Sequence, residues 1–92
     1  MPKAPNTAPG PLTLAVAELL RVERGRRNLN DSTLAVLSGV DRIAVGRILK
    51  GLKVPDVEVL EKLAVALGMT LTTLCQKAED ATSGLRFEDQ LK

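Results

Sequence analysis

The stretch LAVLSGVDRIAVGRIL, residues 34 to 49, is the feature that most constrains what this chain can fold into. Two short apolar runs are separated by Ser38 and Gly39, and Asp41 follows them. Glycine readily takes the left-handed conformation that ends many helices, and an aspartate side chain accepts from the free N–H groups where a helix begins. The pattern therefore predicts two short helices that meet at a tight turn.

Capping and breaking residues at other places in the chain predict three more helices. The segment GLKVPD, residues 51 to 56, indicates a loop between the third and fourth helices, because the residue before a proline favours extended backbone. The predicted N-terminal caps are Thr13, Asn30 or Asp31, Asp41, Asp56 and Thr70, and the predicted C-terminal glycines are Gly25, Gly39 and Gly68.

Apolar residues in each predicted helix recur at helical spacing, which predicts one inward face per helix. No β-strand is needed to account for residues 12–78, so the prediction is an all-α domain. The residues predicted to point inward are Leu12, Val16, Leu19, Leu20 and Val22; Leu34 and Leu37; Val45, Ile48, Leu49 and Leu52; Val57, Leu60, Leu63, Ala64 and Leu67; and Leu71, Leu74 and Cys75.

The third helix carries an unusual second face, formed by Arg42, Ile43, Gly46, Arg47 and Lys50. A glycine inside a helix costs about 1 kcal/mol relative to alanine. One interpretation is that Gly46 leaves a flat place where a bulky partner can approach. The alternative is that Gly46 has no role and Ile43 is an isolated surface aliphatic.

Both ends of the chain differ from its middle. Residues 1–11 contain four prolines and are predicted to form a disordered arm. Residues 79–92 form a polar tail that contains Leu85, Phe87 and Leu91, and the pattern is compatible with a short strand, a last helical turn or disorder. Its single aromatic residue suggests a contact within a dimer, with another protein, or with the domain's own core.

Charge is distributed unevenly. Residues 21–53 hold eight basic side chains against three acidic ones, whereas the segment from residue 54 onward is net acidic. A polyanion is the natural partner of such a basic segment. The alternative is an ordinary solvated surface.

The residue inventory argues against catalysis and metal binding. The chain has no histidine, and Cys75 is its only cysteine. A Cys-His nucleophile pair, a Cys/His metal site and an internal disulfide are therefore excluded, and neither a cofactor nor an enzymatic activity is expected. The sequence shows no signal peptide and no apolar run long enough to span a bilayer, so the expectation is a cytoplasmic protein.

Taken in order, these features resemble the lambda-repressor/Cro-like (XRE-type) helix-turn-helix domain over residues 14 to 74. No single residue is diagnostic, but the combined spacing is specific. The matching positions are Leu29-Asn30, Leu34-Ala35, Gly39-Val40, Val45, Ile48, Gly51, Pro55 and LEKLAVALGMTLTTL from Leu60 to Leu74.

The resemblance implies a compact five-helix lambda-repressor-like DNA-binding domain at residues 12–78, with the helix-turn-helix at 31–50, a flexible arm and a short tail. It also implies a homodimer on a palindromic double-stranded DNA operator and a role in transcription. The base-contacting positions fall on Arg42, Ile43 and Arg47. Phosphate-contacting positions fall on Asn30, Asp31, Ala44, Lys50 and Lys53, with Arg26 and Arg27 in the preceding loop. Dimer or partner contacts are expected at Leu71, Leu74, Leu85, Phe87 and Leu91.

Two places depart from the family pattern. One is the loop between the first and second helices, where Arg26 and Arg27 are expected to lie differently against the DNA backbone, and the other is the end of the third helix. A glutamate usually lies late in the third helix, where it pairs with an arginine of the first helix, but this chain has Leu49 there. The first-helix counterpart is Glu23 or Arg24, and an apolar contact is expected instead of the ion pair. A second hypothesis remains for the function: a protein-interaction module with little operator binding, whose tail binds a partner protein as an antitoxin's would.

Overall fold

The computed structural model of the chain describes the backbone of residues 9–91 and the side chains of residues 9–83. The described chain forms five helices and no strand, which confirms the predicted all-α class. Residues 1–8, to which most of the predicted arm belongs, lie outside the described range. The helices are α1 (Pro11–Arg26), α2 (Asp31–Ser38), α3 (Arg42–Leu49), α4 (Val57–Ala66) and α5 (Leu71–Leu91).

Side-chain caps begin four of the helices as predicted. Asn30 Oδ1 accepts from the Thr33 N–H at 2.8 Å, and Asp56 Oδ1 accepts from the Val59 N–H at the same distance. Asp41 and Thr70 cap α3 and α5 in the same way. The Thr13 cap is wrong, because α1 already begins at Pro11, a position where the missing N–H of proline costs no helical hydrogen bond.

The first helix also ends later than predicted. Gly25 stays helical, and the left-handed residue is Asn28, with a φ of 55°. Its N–H donates to the Gly25 carbonyl, and the Leu29 N–H donates to the Arg24 carbonyl. This pair of bonds is the Schellman ending of a helix, in which asparagine can replace glycine. As a result Arg26 lies in the last turn of α1 instead of in the loop.

Gly51 ends α3 by the same motif. It has a φ of 76°, its N–H donates to the Ile48 carbonyl at 3.0 Å, and the Leu52 N–H donates to the Arg47 carbonyl at 2.9 Å. The chain therefore turns back on α3 before Leu52 could continue the buried stripe. The prediction that Leu52 belongs to the core is wrong, since 63% of it is exposed.

The core lies between the five helices, where α1 packs mainly against α5, and α2 packs against α3 and α4. Its packing follows the predicted stripes except at four further positions, Leu12, Val22, Leu37 and Val57, which are exposed. In α1, for example, the buried stripe runs through Val16, Leu20 and the charged Glu23, which leaves Val22 outside it. The largest fully buried side chains are Leu20, Leu34, Val45, Ile48, Leu63, Leu67 and Leu74.

The fifth helix is much longer than the predicted segment LTTLCQKA, because residues 79–91, assigned to a separate tail, continue it. Ala78 and Thr82, four residues apart, are both buried, so the same face of α5 keeps packing past the predicted end. The Gln76 side-chain amide also donates to Asp80 at 3.0 Å. Within residues 9–91 no helix combines the length and the apolar character needed to cross a membrane.

Candidate nucleic-acid interface

The turn between α2 and α3 is fixed by backbone and capping bonds. Gly39 has a φ of 76°, and its N–H donates to the Ala35 carbonyl at 2.8 Å. Asp41 Oδ2 then accepts from the N–H groups of Ile43 and Ala44, at 3.0 and 3.2 Å. Because the caps satisfy the backbone at both sides of the turn, the two helices form one rigid helix-turn-helix unit.

The third helix is anchored on one side and open on the other. Val45, Ile48 and Leu49 are buried, which fixes the rotation of the helix about its own axis. The outward residues Arg42, Ile43, Arg47 and Lys50 are all exposed, as the sequence predicts. Ile43 is 65% exposed, so a branched aliphatic side chain lies in water between arginines.

Beside this face lies an open depression that we call the α3 cleft. It has a volume of about 300 Å³. Two residues expected at bases, Ile43 and Arg47, line the cleft. Two residues expected at phosphates, Ala44 and Lys53, line it as well, whereas Arg42 and Lys50 do not. The residues that line it are Asp41, Ile43, Ala44, Arg47, Leu52 and Lys53.

Asn30 and Asp31, both expected at phosphates, use their side chains within the fold. Asn30 caps α2, and Asp31 Oδ1 accepts a charged hydrogen bond from Arg24 Nη1 at 2.9 Å. This ion pair joins the end of α1 to the start of α2. A phosphate near this place would have to meet the backbone N–H groups of the first turn of α2 instead of these side chains.

Gly46 does not lie on the open face. A Cβ atom built on it would meet Asp31 Oδ2 of α2 at 3.5 Å, which is ordinary van der Waals contact, and the residue is partly buried. The interpretation of Gly46 as a flat place for a partner is therefore wrong. The glycine leaves room next to the Arg24–Asp31 ion pair, although alanine would also fit.

Arg26 and Arg27 are turned toward Glu23. Arg27 Nη1 donates to Glu23 Oε1 at 2.5 Å, and Arg26 Nη1 donates to Glu23 Oε2 at 3.2 Å. Glu23 is only 6% exposed. The hydrogen bond from Arg27 lowers the pKa of Glu23, burial opposes it, and the charges of Arg26 and Arg27 lower it further. The structure thus gives both arginines an internal role that the sequence reading missed.

The contact between α1 and α3 also differs from the expected one. Leu49 is buried, which agrees with an apolar contact in place of an ion pair. The Glu23 and Arg24 side chains bond elsewhere, Glu23 to Arg26 and Arg27, and Arg24 to Asp31. Arg21 instead donates to the Leu49 carbonyl, so a guanidinium of α1 satisfies one of the free carbonyls at the end of α3.

A family model described as helix-turn-helix matches residues 20–74 of the chain. The chain belongs to the XRE-type, lambda-repressor-like helix-turn-helix family. It is accordingly a DNA-binding transcription regulator.

Solved structures agree with this assignment. The restriction-modification controller protein C.AhdI from Aeromonas hydrophila is 34% identical, with a TM-score of 0.64 over 67% of this chain and 94% of that one. The clp gene regulator ClgR from Corynebacterium glutamicum is 22% identical and shares the fold, with a TM-score of 0.71 over 87% of this chain and 85% of that one. A hypothetical transcription factor, NHTF from Neisseria, is 24% identical, with a TM-score of 0.67 over 87% and 96%. A search of curated protein sequences gives no significant match.

The residues expected at the dimer interface of this XRE-type domain fall into two groups. Leu74 is 0% exposed and belongs to the core, so the prediction that it contacts a partner is wrong for this conformation. Leu71 is partly buried. The side chains of Leu85, Phe87 and Leu91 lie outside the described part of the structure, although their backbone belongs to α5.

Two further features of the interface were not predicted from the sequence. The first is the Arg24–Asp31 ion pair, which no local spacing rule reveals because its residues lie on different helices. The second is Leu52. Gly51 was the available signal, since a glycine directly after Leu49 and Lys50 marks the end of α3 and places Leu52 beyond the helical stripe.

Proposed function

We propose that the chain is a transcriptional repressor that binds a two-fold symmetric DNA operator as a homodimer and reads the major groove with α3. The observation that carries the proposal is the outward face of α3, where Arg42, Ile43 and Arg47 stand exposed on a helix anchored by its opposite side. The B-DNA major groove, roughly 12 Å wide, accepts one α-helix.

The side chains on this face suit base edges. Arginine can donate two hydrogen bonds to O6 and N7 of guanine, and an aliphatic side chain can contact the methyl group of thymine. Arg42 and Arg47 are separated on α3 by about 1.4 turns, or about 7.5 Å along the helix axis, so in this arrangement they reach different base pairs. Ile43 adds the apolar contact between them.

Cations at the end of α3 supply the contacts to phosphate. Lys50 follows the helix and Lys53 lies in the next loop, and both are exposed. At the other side of the unit, we propose that N–H groups in the first turn of α2 bind a phosphate. Arg26 and Arg27 contribute mainly long-range attraction in this arrangement, because Glu23 holds both guanidinium groups.

Dimerisation is proposed on energetic grounds. A single domain with a handful of phosphate contacts binds weakly at physiological salt, whereas two linked copies contact two half-sites. The C-terminal half of α5 extends beyond Thr82, the last buried residue described in it, and is the segment proposed to join the copies.

Fluorescence anisotropy on DNA from upstream of the gene, and on a duplex selected from a random pool, tests the reading helix. The double variant Arg42→Ala/Arg47→Ala is expected to weaken specific binding by at least about 30-fold, since each arginine–guanine pair contributes roughly 1–3 kcal/mol. The matched control, Lys62→Ala/Lys77→Ala, removes the same charge from exposed positions of α4 and α5 and should change binding only slightly.

The salt dependence separates specific from general binding. Affinity for the selected duplex should fall steeply with salt, and more shallowly for a Lys50→Ala/Lys53→Ala variant, because fewer counterions are released. The proposal fails if neither duplex is bound better than a scrambled one. It also fails if the Arg42→Ala/Arg47→Ala variant and the Lys62→Ala/Lys77→Ala control lose the same affinity. The protein-interaction hypothesis would then lead.

A further inference from the structure

Leu52 lies at the reading face for a structural reason. The Schellman ending at Gly51 brings the Leu52 N–H to the carbonyl of Arg47, which lies in the last turn of α3. This motif places the residue after the glycine against the last turn of the helix. Leu52 thereby becomes a wall of the α3 cleft, together with Ile43 and Ala44. The Leu52 and Ile43 side chains are 63% and 65% exposed, so both offer apolar surface to a group in the cleft.

The charges around the cleft restrict what can occupy it. Arg47 and Lys53 attract a polyanion to its rim. Asp41 also lines it, and a carboxylate repels a phosphate group at short range. The favoured occupant is therefore the edge of a base from the DNA that the cations hold, and not the sugar-phosphate backbone.

Apolar walls favour one particular part of a base edge. In the major groove the apolar group is the methyl group on C5 of a pyrimidine, carried by thymine and by 5-methylcytosine. We infer that the α3 cleft is a subsite for a pyrimidine C5-methyl group, and that Leu52 is a specificity-determining residue that closes the subsite opposite Ile43. This inference rests on the proposed reading of DNA by α3.

Removing or adding single C5-methyl groups in the DNA tests the subsite. In a duplex selected from a random pool, each thymine is replaced in turn by deoxyuridine, which lacks only the methyl group. Each cytosine is separately replaced by 5-methylcytosine, which adds it. At one position of each half-site the methyl group is expected to strengthen binding by about fourfold, the value for removing one methyl-sized group from water. An effect in the deoxyuridine series identifies thymine as the source of the methyl group. An effect in the 5-methylcytosine series identifies 5-methylcytosine as the source.

The protein variants assign the effect to the cleft. Leu52→Ala should reduce the methyl effect at that position to less than twofold, whereas Leu52→Met, which keeps an apolar wall, should retain most of it. Val54→Ala is the matched control, because Val54 is an exposed aliphatic of the same loop that does not line the α3 cleft. Because Leu52 is exposed, its variants should keep the wild-type melting temperature.

The outcomes separate this inference from the proposed function. Specific binding with no methyl effect at any position, or a methyl effect that Leu52→Ala leaves intact, overturns the subsite and leaves the reading of DNA by α3 standing. Absence of specific binding to any duplex overturns the proposed function, and the subsite with it.

Discussion

At the scale of single residues, Glu23 shows how this fold accommodates a buried charge. Its carboxylate lies on the buried stripe of α1, yet it accepts hydrogen bonds from Arg26 and Arg27, whose own side chains remain partly in water. A buried acid without such partners would be neutral or strongly destabilising. Here the arginines keep it ionised and fasten the end of α1.

The lowered pKa of Glu23 predicts a pH dependence of stability. Because the folded pKa lies below the ordinary value of 4.5, the unfolded chain binds more protons in acid. The stabilisation is fully present above pH 4.5 and is lost as the pH falls through the folded pKa. Glu23→Gln should therefore lower the free energy of unfolding by about 1 kcal/mol at pH 7, the difference between a charged and a neutral hydrogen bond.

Urea unfolding followed by circular dichroism from pH 7 to pH 2.5 measures this effect. The difference between the wild type and Glu23→Gln should be constant near neutrality and should shrink toward zero in acid. Glu18→Gln, at an exposed position of the same helix, is the control and should show little difference. A Glu23→Gln difference that grows in acid would contradict the assignment.

At the scale of helices, the ends of α3 decide which residues the helix presents. Asp41 fixes its beginning and Gly51 its end, so the helix runs from Arg42 to Leu49 and Leu52 leaves the buried stripe. Glycine is required at only some of the positions where the sequence has it. Gly51 needs a left-handed backbone, whereas Gly46 lies inside the helix with no such demand.

Alanine substitutions at these two glycines should have opposite effects. Gly51→Ala should destabilise the protein by about 1–2 kcal/mol, because of its φ of 76° and because the new Cβ would meet Leu14 Cδ2 at 3.0 Å. Gly46→Ala should stabilise it by up to about 1 kcal/mol, since alanine is the better helix former and its Cβ makes an ordinary contact.

Thermal unfolding and operator affinity measured on the same variants test this pair. Gly46→Ala should bind the operator within about twofold of the wild type, since its Cβ points to Asp31 of α2 and not outward. If Gly46→Ala lost much of its operator affinity but kept its stability, the result would support a close approach of DNA to the helix at Gly46.

At the scale of the whole molecule, the buried residues described form one core that all five helices share. Every buried residue described lies between Val16 and Thr82. The C-terminal part of α5 is the segment that we propose joins the two copies of the dimer. Coupling two reading helices to two half-sites raises affinity without any new contact to DNA.

Removal of residues 84–92 tests whether the C-terminal part of α5 joins the two copies. The truncated protein should retain its helical circular dichroism signal, should sediment as a monomer at concentrations where the full chain is dimeric, and should lose operator affinity by more than 10-fold. Removal of residues 1–8 is the control and should leave the sedimentation coefficient close to that of the full-length dimer. Dimers that persist without residues 84–92 would place the interface elsewhere.

Much of this molecule follows from local chemistry in the sequence. Asn30, Asp41, Asp56 and Thr70 cap helices as predicted, because each side chain bonds an N–H two or three residues away. Gly39 gives the turn for the same local reason. Caps, turn and apolar period together identify the family and place Arg42, Ile43 and Arg47 on an open face.

The features that the sequence analysis did not predict have two origins, packing between helices and local contacts whose consequence depends on which groups the fold buries. Asp31 meets Arg24 and faces Gly46 only because three helices converge there. Glu23 pairs with Arg26 and Arg27 at the local spacings i,i+3 and i,i+4, but only the fold shows that its carboxylate is buried. The net positive charge of the segment therefore overstates the charge that DNA can meet. Leu52 joins the reading face because one left-handed residue redirects the chain. The sequence by itself determined the helices and the family, whereas the tertiary structure decided which charges are free and which apolar residues face outward.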